Sequence, residues 1–363
     1  MKITIVAGAR PNFIKIAPII LSIEEEIKTG KDIKYRLVHT GQHYDKDMSD
    51  NFFSQLNIPS PDVNLKCGGG THSEQTGSIM VKFEKELTDN RPDIVLVVGD
   101  VNSTMACTIV SKKMNIKVAH VEAGIRSGDM TMPEEINRIV TDSICDYFFT
   151  TTKIANKNLL EHNISNNRIY FVGNTMIDSL LTNIDRIKKP QFFIDNFIKD
   201  GNYFLLTIHR PSNVDEPEKL KTILKTISES VGDSMVIFPI HPRTKNILDK
   251  FNIYFDNIKP TSPQGYLEFI YMIKNSKGVI TDSGGVTEET TVLNIPCITM
   301  RNSTERPETV EIGTNELIGD DMGKLKTLIN KINSKDWKVG NIPDLWDGKT
   351  SKRIIKHLLN MFK

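Results

Sequence analysis

The chain has 363 residues, of which 46 are basic and 45 are acidic. A chain of this length is too long for one ordinary hydrophobic core, which predicts two domains. Because the charges balance, the chain lacks the overall positive charge that is typical of proteins that bind nucleic acids or anionic membranes. No apolar run reaches the ~20 residues of a membrane span, and the N-terminus does not have the pattern of a signal peptide. We therefore expect a soluble, cytoplasmic protein with no nucleic-acid or membrane partner. The four cysteines lack CxxC spacing, which predicts neither a disulfide framework nor a metal site.

Short β-branched runs alternate with longer amphipathic segments along the chain. This pattern is typical of an α/β fold in which helices cover parallel sheets. In the first half we predict strands at 3–7, 35–39, 94–98, 117–121, 146–150 and 169–172. We predict helices at 49–56, 74–87, 103–114, 134–145 and 153–162, and we expect Pro18 to break or kink the helix after the first strand.

The second half repeats this pattern after a stretch of weak periodicity around 188–202, where we place a linker. Its strands are predicted at 203–208, 235–239, 253–255, 278–281 and 297–300. We therefore predict two Rossmann-like, doubly wound domains, at 1–187 and 188–348. The residues 349–363 have the apolar stripe of a helix, which we expect to pack across the domain junction.

Ligands of open parallel sheets bind beyond the carboxyl ends of the strands, so residues of the loops there are the first candidates for a ligand site. After the first strand, Gly8 allows a tight exit into a helix where Arg10 and Lys15 can hold an anion. The next loop contains Asp45 and Asp47, a DxD that holds a metal–nucleotide in some glycosyltransferases. A solvated helix start is the simpler interpretation of that pair.

Carboxylates follow the next strands. Asp100 comes directly after the strand at 94–98, where it can act on a substrate or cap the following helix. Glu122 ends an otherwise apolar strand, so it needs either a cation partner or a functional reason to be buried. Glu134 and Arg138 are four residues apart and share a helix face, which fits an ordinary ion pair or an arginine that orients a carboxylate.

The stretch VITDSGGVTEE at 279–289 predicts a strand, a tight turn at 282–285 and a helix that begins near Val286. The two glycines let the backbone approach a ligand, and the first N–H groups of the helix favour an anion such as a diphosphate. Glu288 and Glu289 follow, and because a carboxylate does not favour phosphate, one of them is expected to bind a neutral group such as a pair of sugar hydroxyls. Read alone, SGG is also compatible with a plain turn.

Two more strand ends in the second half carry a histidine with an arginine. His209 and Arg210 follow one strand, and His241 lies two residues before Arg243 after the next. Together with the SGG segment, these pairs favour a site that handles phosphate.

In order and spacing, these segments resemble the non-hydrolysing UDP-N-acetylglucosamine 2-epimerases. The resemblance rests on GARPNFIKIAPI, HTGQH, GDVNST, HVEAGIRSGD, PEEINR, HR, TDSGGVTEE and RNSTERPE, which span nearly the whole chain. It implies a GT-B architecture of two domains facing a cleft, the interconversion of UDP-GlcNAc and UDP-ManNAc, no cofactor and a homodimer. By this resemblance the catalytic residues are Asp100, Glu122, Glu134, Arg138 and His209, and the substrate-binding residues are Arg10, Lys15, Gln264, Phe269, Ser283, Gly284, Gly285, Glu289 and Arg306.

Members of this family eliminate UDP to give 2-acetamidoglucal and then add UDP back with the proton on the other face. That route needs cations and helix N–H groups for the departing diphosphate and carboxylates for the C2 proton. The sequence departs from the family near 66–71, which reads KCGGGT without an arginine, and at 242–246, which reads PRTKN. These departures argue against the second, regulatory UDP-GlcNAc site that some members build partly from a Gln-His loop, an arginine and a later histidine, although Gln42, His43, Arg210 and His241 are present.

Three alternatives stay open at this point: a hydrolysing 2-epimerase that releases UDP and free ManNAc, a 2-epimerase for a related UDP-diacetamido sugar, and a GT-B glycosyltransferase. Three carboxylates favour epimerisation over glycosyl transfer, which typically uses one base.

Overall fold

The computed structural model describes residues 1–42, 53–240 and 242–362, which divide into two compact units. Unit 1 comprises Met1–Thr182 and Asp344–Lys363, and unit 2 comprises Asn183–Pro343. The predicted boundaries at 187 and 348 lie a few residues after these divisions. The terminal helix belongs to unit 1, and its packing across a domain junction stays a prediction.

Each unit is built on one parallel sheet. The strands are β1 Lys2–Ala7, β2 Lys34–His39, β3 Val63–Asn64, β4 Ile94–Val98, β5 Lys117–Val121, β6 Tyr147–Thr150, β7 Ile169–Phe171, β8 Tyr203–Thr207, β9 Met235–Pro239, β10 Ile258–Thr261, β11 Gly278–Thr281, β12 Cys297–Thr299 and β13 Asn315–Leu317. The strand order is β3-β2-β1-β4-β5-β6-β7 in unit 1 and β10-β9-β8-β11-β12-β13 in unit 2. The predicted α/β class with two doubly wound sheets is thus confirmed.

Helices cover both sheets. They are α1 Arg10–Lys28, α2 His72–Asp89, α3 Asn102–Lys113, α4 Pro133–Ile144, α5 Lys153–Glu161, α6 Thr175–Asn183, α7 Gln191–Asp195, α8 Pro211–Val214, α9 Pro217–Ser230, α10 Pro242–Lys250, α11 Tyr266–Lys274, α12 Gly284–Leu293, α13 Pro307–Glu311, α14 Met322–Asn333 and α15 Thr350–Met361. Only 53–56 of the helix predicted at 49–56 are described, and they are helical. Among the helices of the described ranges, none has the length and apolar character needed to cross a membrane.

The sheet topology locates the candidate sites. In unit 1 the strand order reverses between β1 and β4, and in unit 2 it reverses between β8 and β11. In register, Val98 lies beside Val121 and Thr281 lies beside Thr207, so neighbouring strands end at the same level of the sheet. Ligands of open α/β sheets bind beyond the strand ends at such reversal points. The segments after β1, β4 and β5 in unit 1, and after β8 and β11 in unit 2, therefore lie where a ligand site is expected.

The strand predicted at 253–255 is wrong. Ile253 is buried, but the chain from 253 to 257 is irregular, and the edge strand β10 begins at Ile258 after that turn. β10 contains Pro260, which a strand tolerates at the edge of a sheet because a proline cannot donate to a ladder. The short strands β3 and β13, of two and three residues, were not predicted.

Pro18 does not break α1, which continues from Arg10 to Lys28. A proline removes the N–H that would bond the carbonyl four residues earlier, which here is that of Ile14. The buried Ser179 hydroxyl on α6 donates to the Ile14 carbonyl instead. The helix therefore passes through proline because a side chain from another helix satisfies the carbonyl.

We expect Ser179→Ala to lower the free energy of unfolding by about 1–3 kcal/mol, because it leaves the Ile14 carbonyl buried without that donor. Pro18→Ala restores a backbone N–H for the same carbonyl, so Ser179→Ala should cost less in that background. Urea unfolding of the four proteins of this double-mutant cycle measures the difference. Equal costs of Ser179→Ala in both backgrounds would contradict this role of the hydroxyl.

Candidate active site

In unit 1, a buried asparagine fixes the start of α1 against the end of β4. Asn12 Oδ1 accepts from the backbone N–H groups of Gly8 and Ala9 at 3.1 and 3.0 Å, and Asn12 Nδ2 donates to the Val98 carbonyl at 3.1 Å. This arrangement holds Arg10, the first residue of the helix, at the reversal point of the sheet. Sequence reasoning did not assign Asn12 a role, although an amide four residues after the glycine exit was a usable signal.

Glu122 has the cation partner that its burial required. Its carboxylate forms an ion pair with Lys15 Nζ, and the side chains of Lys15 and Glu122 are 13% and 2% exposed. Glu122 has φ of +70°, a conformation that costs a non-glycine residue energy and that clusters at functional sites. Lys15, which was expected to point at an anion, is thus paired with this carboxylate.

Asp100 is held by an arginine from α4. Arg138 Nη2 donates to Asp100 Oδ2 at 2.5 Å, and Arg138 Nη1 donates to Glu135 Oε2 at 2.8 Å. The Arg138 side chain is 4% exposed, whereas Asp100 is 28% exposed and so reaches the surface of the site. The Arg138 guanidinium thus orients the Asp100 carboxylate, whereas its predicted pairing with Glu134 stays a prediction.

Glu135, which sequence reasoning did not single out, fixes that arginine. Its carboxylate accepts from the N–H groups of Ser127 and Gly128 at 2.9 and 3.1 Å. Burial alone would raise the pKa of Glu135, but these N–H groups and the Arg138 guanidinium outweigh burial and lower the pKa. The carboxylate therefore stays ionised as the partner of Arg138.

The predicted carboxylates of unit 1 lie close together. Asp100 and the exposed Glu134 both line a cavity of about 260 Å³, together with Gln42 and Asn137. Gly99 precedes Asp100, and a Cβ at Gly99 would lie 3.3 Å from Lys15 Nζ and 3.4 Å from Glu122 Oε2. The structure thus brings the Lys15–Glu122 pair, Asp100 and the cavity to one edge of the sheet.

In unit 2, the helix after β11 starts earlier than predicted. α12 begins at Gly284, with Ser283 as its N-cap, and not near Val286. The predicted glycine turn is therefore wrong: Gly284 and Gly285 are the first helical residues. Glycine has a low helix propensity in the interior of a helix. In the first turn its cost is smaller, because the N–H groups there have no intrahelical partners. The Ser283 N–H donates to Thr281 Oγ1 at 3.0 Å, and binding of an anion by the N–H groups of the two glycines stays a prediction.

Asp282 joins the segment after β8 to the segment after β11. Its buried carboxylate accepts from the N–H groups of His209 and Arg210 at 3.0 and 2.9 Å and from Asn213 Nδ2 at 3.0 Å. His209 Nδ1 lies 2.9 Å from Asp282 Oδ1, while the His209 side chain is 60% exposed. Burial would raise the pKa of Asp282, but His209, Arg210 and Asn213 outweigh it and lower the pKa. Asp282 thus orients His209 beside the start of α12.

The paired glutamates of α12 have different partners. Glu288 forms an ion pair with Arg306, and both side chains are buried. Burial, and then the charge of Glu288, raise the pKa of Glu289 to about 8 against a hydrogen bond from Tyr266. Glu288 therefore has a cation partner, and the binding of a neutral group by Glu289 stays a prediction.

The remaining predicted residues lie at the start of α11 or outside the described residues. Gln264 precedes this helix and donates to the Ser262 carbonyl at 2.7 Å, and Phe269 is half-buried on it. Helix α11 packs against α12, which brings Tyr266 near Glu289. Asp45, Asp47, His43 and His241 lie outside the described residues.

The chain is similar to known proteins over nearly its whole length. The sequence profile of the family described as UDP-N-acetylglucosamine 2-epimerase matches residues 25–359. A UDP-N-acetylglucosamine 2-epimerase of Methanocaldococcus jannaschii is 45% identical over 99% of both chains. A crystal structure of the M. jannaschii enzyme in complex with UDP-GlcNAc and UDP superposes with a TM-score of 0.87, at 44% identity over 99% of this chain and 100% of that one.

Another similar protein has a different substrate in its name. The UDP-2,3-diacetamido-2,3-dideoxy-D-glucuronate 2-epimerase of Pseudomonas aeruginosa is 40% identical over 88% of both chains. The family profile covers most of the chain and the M. jannaschii relative covers nearly all of it, which confirms the resemblance drawn from the motifs. The chain therefore belongs to the UDP-N-acetylglucosamine 2-epimerase family.

Proposed function

We propose that this protein is a non-hydrolysing UDP-N-acetylglucosamine 2-epimerase that interconverts UDP-GlcNAc and UDP-ManNAc. The observation that carries the proposal is full-length identity of 45% to an enzyme of that name. The ion pairs of Lys15 with Glu122 and of Arg138 with Asp100 support it, because they place oriented carboxylates at one sheet edge. A homodimer and a cytoplasmic location stay predictions from the sequence.

The reaction begins at the C1–O bond of the sugar. The C2 hydrogen is not next to a carbonyl group, so its direct removal would need a very strong base. Loss of UDP first creates positive charge at C1, which acidifies C2 and lets a carboxylate take the proton to give 2-acetamidoglucal. Return of UDP with a proton on the opposite face gives the epimer.

Unit 1 supplies the groups for this proton chemistry. We assign proton handling to Asp100, Glu122 and Glu134, since two faces of C2 require two proton carriers. Arg138 and Lys15 hold Asp100 and Glu122 in fixed orientations, which lowers the entropic cost of reaching the transition state.

Unit 2 supplies the groups that hold the nucleotide. The start of α12 comprises Ser283, Gly284 and Gly285, and the N–H groups of the two glycines, with His209, stabilise the diphosphate that leaves and returns. Glu289 accepts hydrogen bonds from the ribose hydroxyls. Gln264 and Phe269 bind the uracil end of the nucleotide. Arg306 and Arg10 add positive charge for the nucleotide and the substrate.

The ionisation of Glu289 makes UDP binding depend on pH. With a pKa of about 8, Glu289 is mostly protonated at pH 7 in the free protein, whereas a ribose diol is bound best by the ionised form. Binding therefore releases a proton, and UDP affinity should rise about tenfold from pH 7 to pH 9 as the ionised fraction grows. Calorimetric titration of UDP across this range measures the effect, with Glu289→Gln as the control that should show no such rise. A wild-type affinity that does not change with pH would contradict this assignment.

The product assay tests the proposed function. Purified protein incubated with UDP-GlcNAc is expected to give UDP-ManNAc, which ¹H NMR distinguishes from UDP and free ManNAc. Free ManNAc with UDP would show that water intercepts the intermediate and that the protein is a hydrolysing epimerase. Transfer of the sugar only when an acceptor is added would identify a glycosyltransferase.

A second substrate is supported by the P. aeruginosa relative, which is named for a UDP-diacetamido glucuronate. The two substrates differ in their groups at C3 and C6. The ratio of the kcat/KM values for UDP-GlcNAc and for the UDP-diacetamido glucuronate shows which of them the protein prefers. We expect UDP-GlcNAc to be preferred, because its named relative matches at higher identity over a larger share of the chain. A kcat/KM that is higher for the diacetamido glucuronate would replace the proposed substrate while keeping the reaction class.

A further inference from the structure

A buried histidine of unit 1 has acceptors at both ring nitrogens. His120, on β5, is fully buried. Its Nε2 lies 2.9 Å from the Gly99 carbonyl oxygen, and its Nδ1 lies 2.7 Å from Asp142 Oδ1. A carbonyl oxygen can only accept, so Nε2 carries a proton.

The other ring nitrogen contacts Asp142, which is itself held in place. Asp142 Oδ2 accepts from Arg126 Nη1 at 2.7 Å and from the Gly124 N–H at 3.0 Å. Burial would raise the pKa of Asp142, but His120 and Arg126 outweigh it and lower the pKa. The Asp142 carboxylate, itself held by Arg126 and Gly124, thus fixes Nδ1, and the His120 ring is clamped between Asp142 and the Gly99 carbonyl.

The Gly99 carbonyl lies next to the groups that the proposed reaction uses. Gly99 has φ of +69° and directly precedes Asp100. One face of its Cα approaches Lys15 Nζ and Glu122 Oε2, to which a Cβ would lie at 3.3 and 3.4 Å. The hydrogen bond from His120 therefore fixes the peptide that sets both the direction of Asp100 and its distance from the Lys15–Glu122 pair.

The same cluster ties the segment after β5 to α4. Asp142 on α4 binds Arg126 and Gly124 of that segment, and Glu135, seven residues earlier on the same helix, binds Ser127 and Gly128. Residues seven apart lie on one face of a helix, so α4 holds the segment at two points. Arg138, between those points, is thereby aligned with Asp100.

We propose that His120 is a positioning residue for the epimerase reaction: its ring, held at Nδ1 by Asp142, donates from Nε2 to the Gly99 carbonyl and so sets the placement of Asp100 relative to Glu122. The proposal rests on the proposed function. His120 does not touch the sugar in this account. Its contribution is to the rate of the chemical step and not to nucleotide binding.

Two substitutions separate the two ends of the ring. In His120→Gln the amide nitrogen can take the place of Nε2 and keep a donor to Gly99. In His120→Asn the amide nitrogen takes the place of Nδ1, so the contact with Asp142 is kept and that with Gly99 is lost. His120→Asn should lower kcat about 100-fold, as expected for a misplacement of about 1 Å, and His120→Gln about tenfold or less. KM and the UDP dissociation constant should change less than about twofold, and the exposed His162→Gln serves as a matched control.

A folded His120→Asn with wild-type kcat would overturn the proposal, as would equal loss of kcat in both variants in step with their loss of thermal stability. Where neither variant folds, ¹⁵N NMR of wild-type protein with labelled histidine decides: Nε2 of His120 should carry the proton donated to the Gly99 carbonyl, and an unprotonated Nε2 would overturn the proposal. The wild-type product assay is run first. Absence of epimerisation there refutes the proposed function, while the NMR result still reports on the hydrogen bond from His120 to Gly99.

Discussion

Asp100→Asn and Glu122→Gln are each expected to lower kcat by about 10²- to 10⁴-fold, the worth of a positioned acid or base. Asparagine keeps an acceptor for the Arg138 guanidinium, 2.5 Å from the carboxylate in the wild type, so the fold around it should persist. The UDP dissociation constant should stay within about twofold of the wild-type value, because the groups proposed to hold UDP lie in unit 2. Steady-state kinetics and UDP calorimetry measure the two effects separately.

The matched control is Glu161→Gln, which neutralises a side chain that is 59% exposed on α5 and should leave kcat unchanged. Thermal unfolding checks that the Glu122→Gln protein is folded, since that change leaves Lys15 without its charged partner. Loss of UDP affinity in both active-site variants would contradict the assigned roles.

Arg306→Met is expected to destabilise the protein by about 3–5 kcal/mol, because it removes the partner of a buried charge. Glu288 is 1% exposed, so solvent cannot replace the guanidinium as the partner of its carboxylate. The negative charge of Glu288 already raises the pKa of its neighbour Glu289. Urea unfolding measures this loss. The same variant should bind UDP about 10- to 100-fold more weakly, the worth of a charge-assisted hydrogen bond.

The double variant Glu288→Gln with Arg306→Met separates stability from binding. It removes both charges, so most of the lost stability should return, whereas UDP affinity should stay low if Arg306 contacts the nucleotide. Recovery of UDP affinity along with stability would mean that Arg306 serves only to neutralise Glu288.

The sheets could be predicted because buried parallel strands leave a strong mark on a sequence. β4, for example, is five buried residues in IVLVV, between segments of helical periodicity. The misses lie at the sheet edges, where a strand of two residues such as β3, or one that contains Pro260, has no such pattern. Pro18 misled because Ser179, which donates to the Ile14 carbonyl in place of the missing N–H, lies 165 positions from Ile14.

The candidate site was predictable as a set of positions but not as a set of contacts. Topology places the carboxyl ends of parallel strands together, so Asp100 and Glu122 could be named from their places after β4 and β5. Their partners could not be read in the same way, since Lys15 lies 107 positions from Glu122 and Arg138 lies 38 from Asp100. Glu135 resembled an ordinary helix-surface residue, and only the structure shows its carboxylate facing Arg138.

Deuterium incorporation tests the central claim most directly. UDP-GlcNAc incubated with the protein in D₂O should yield UDP-ManNAc that carries deuterium at C2, seen by NMR as loss of the C2 proton signal, because the proton removed from one face is replaced from solvent-exchanged groups on the other. UDP-ManNAc that keeps its original hydrogen at C2 would contradict elimination and re-addition through these carboxylates.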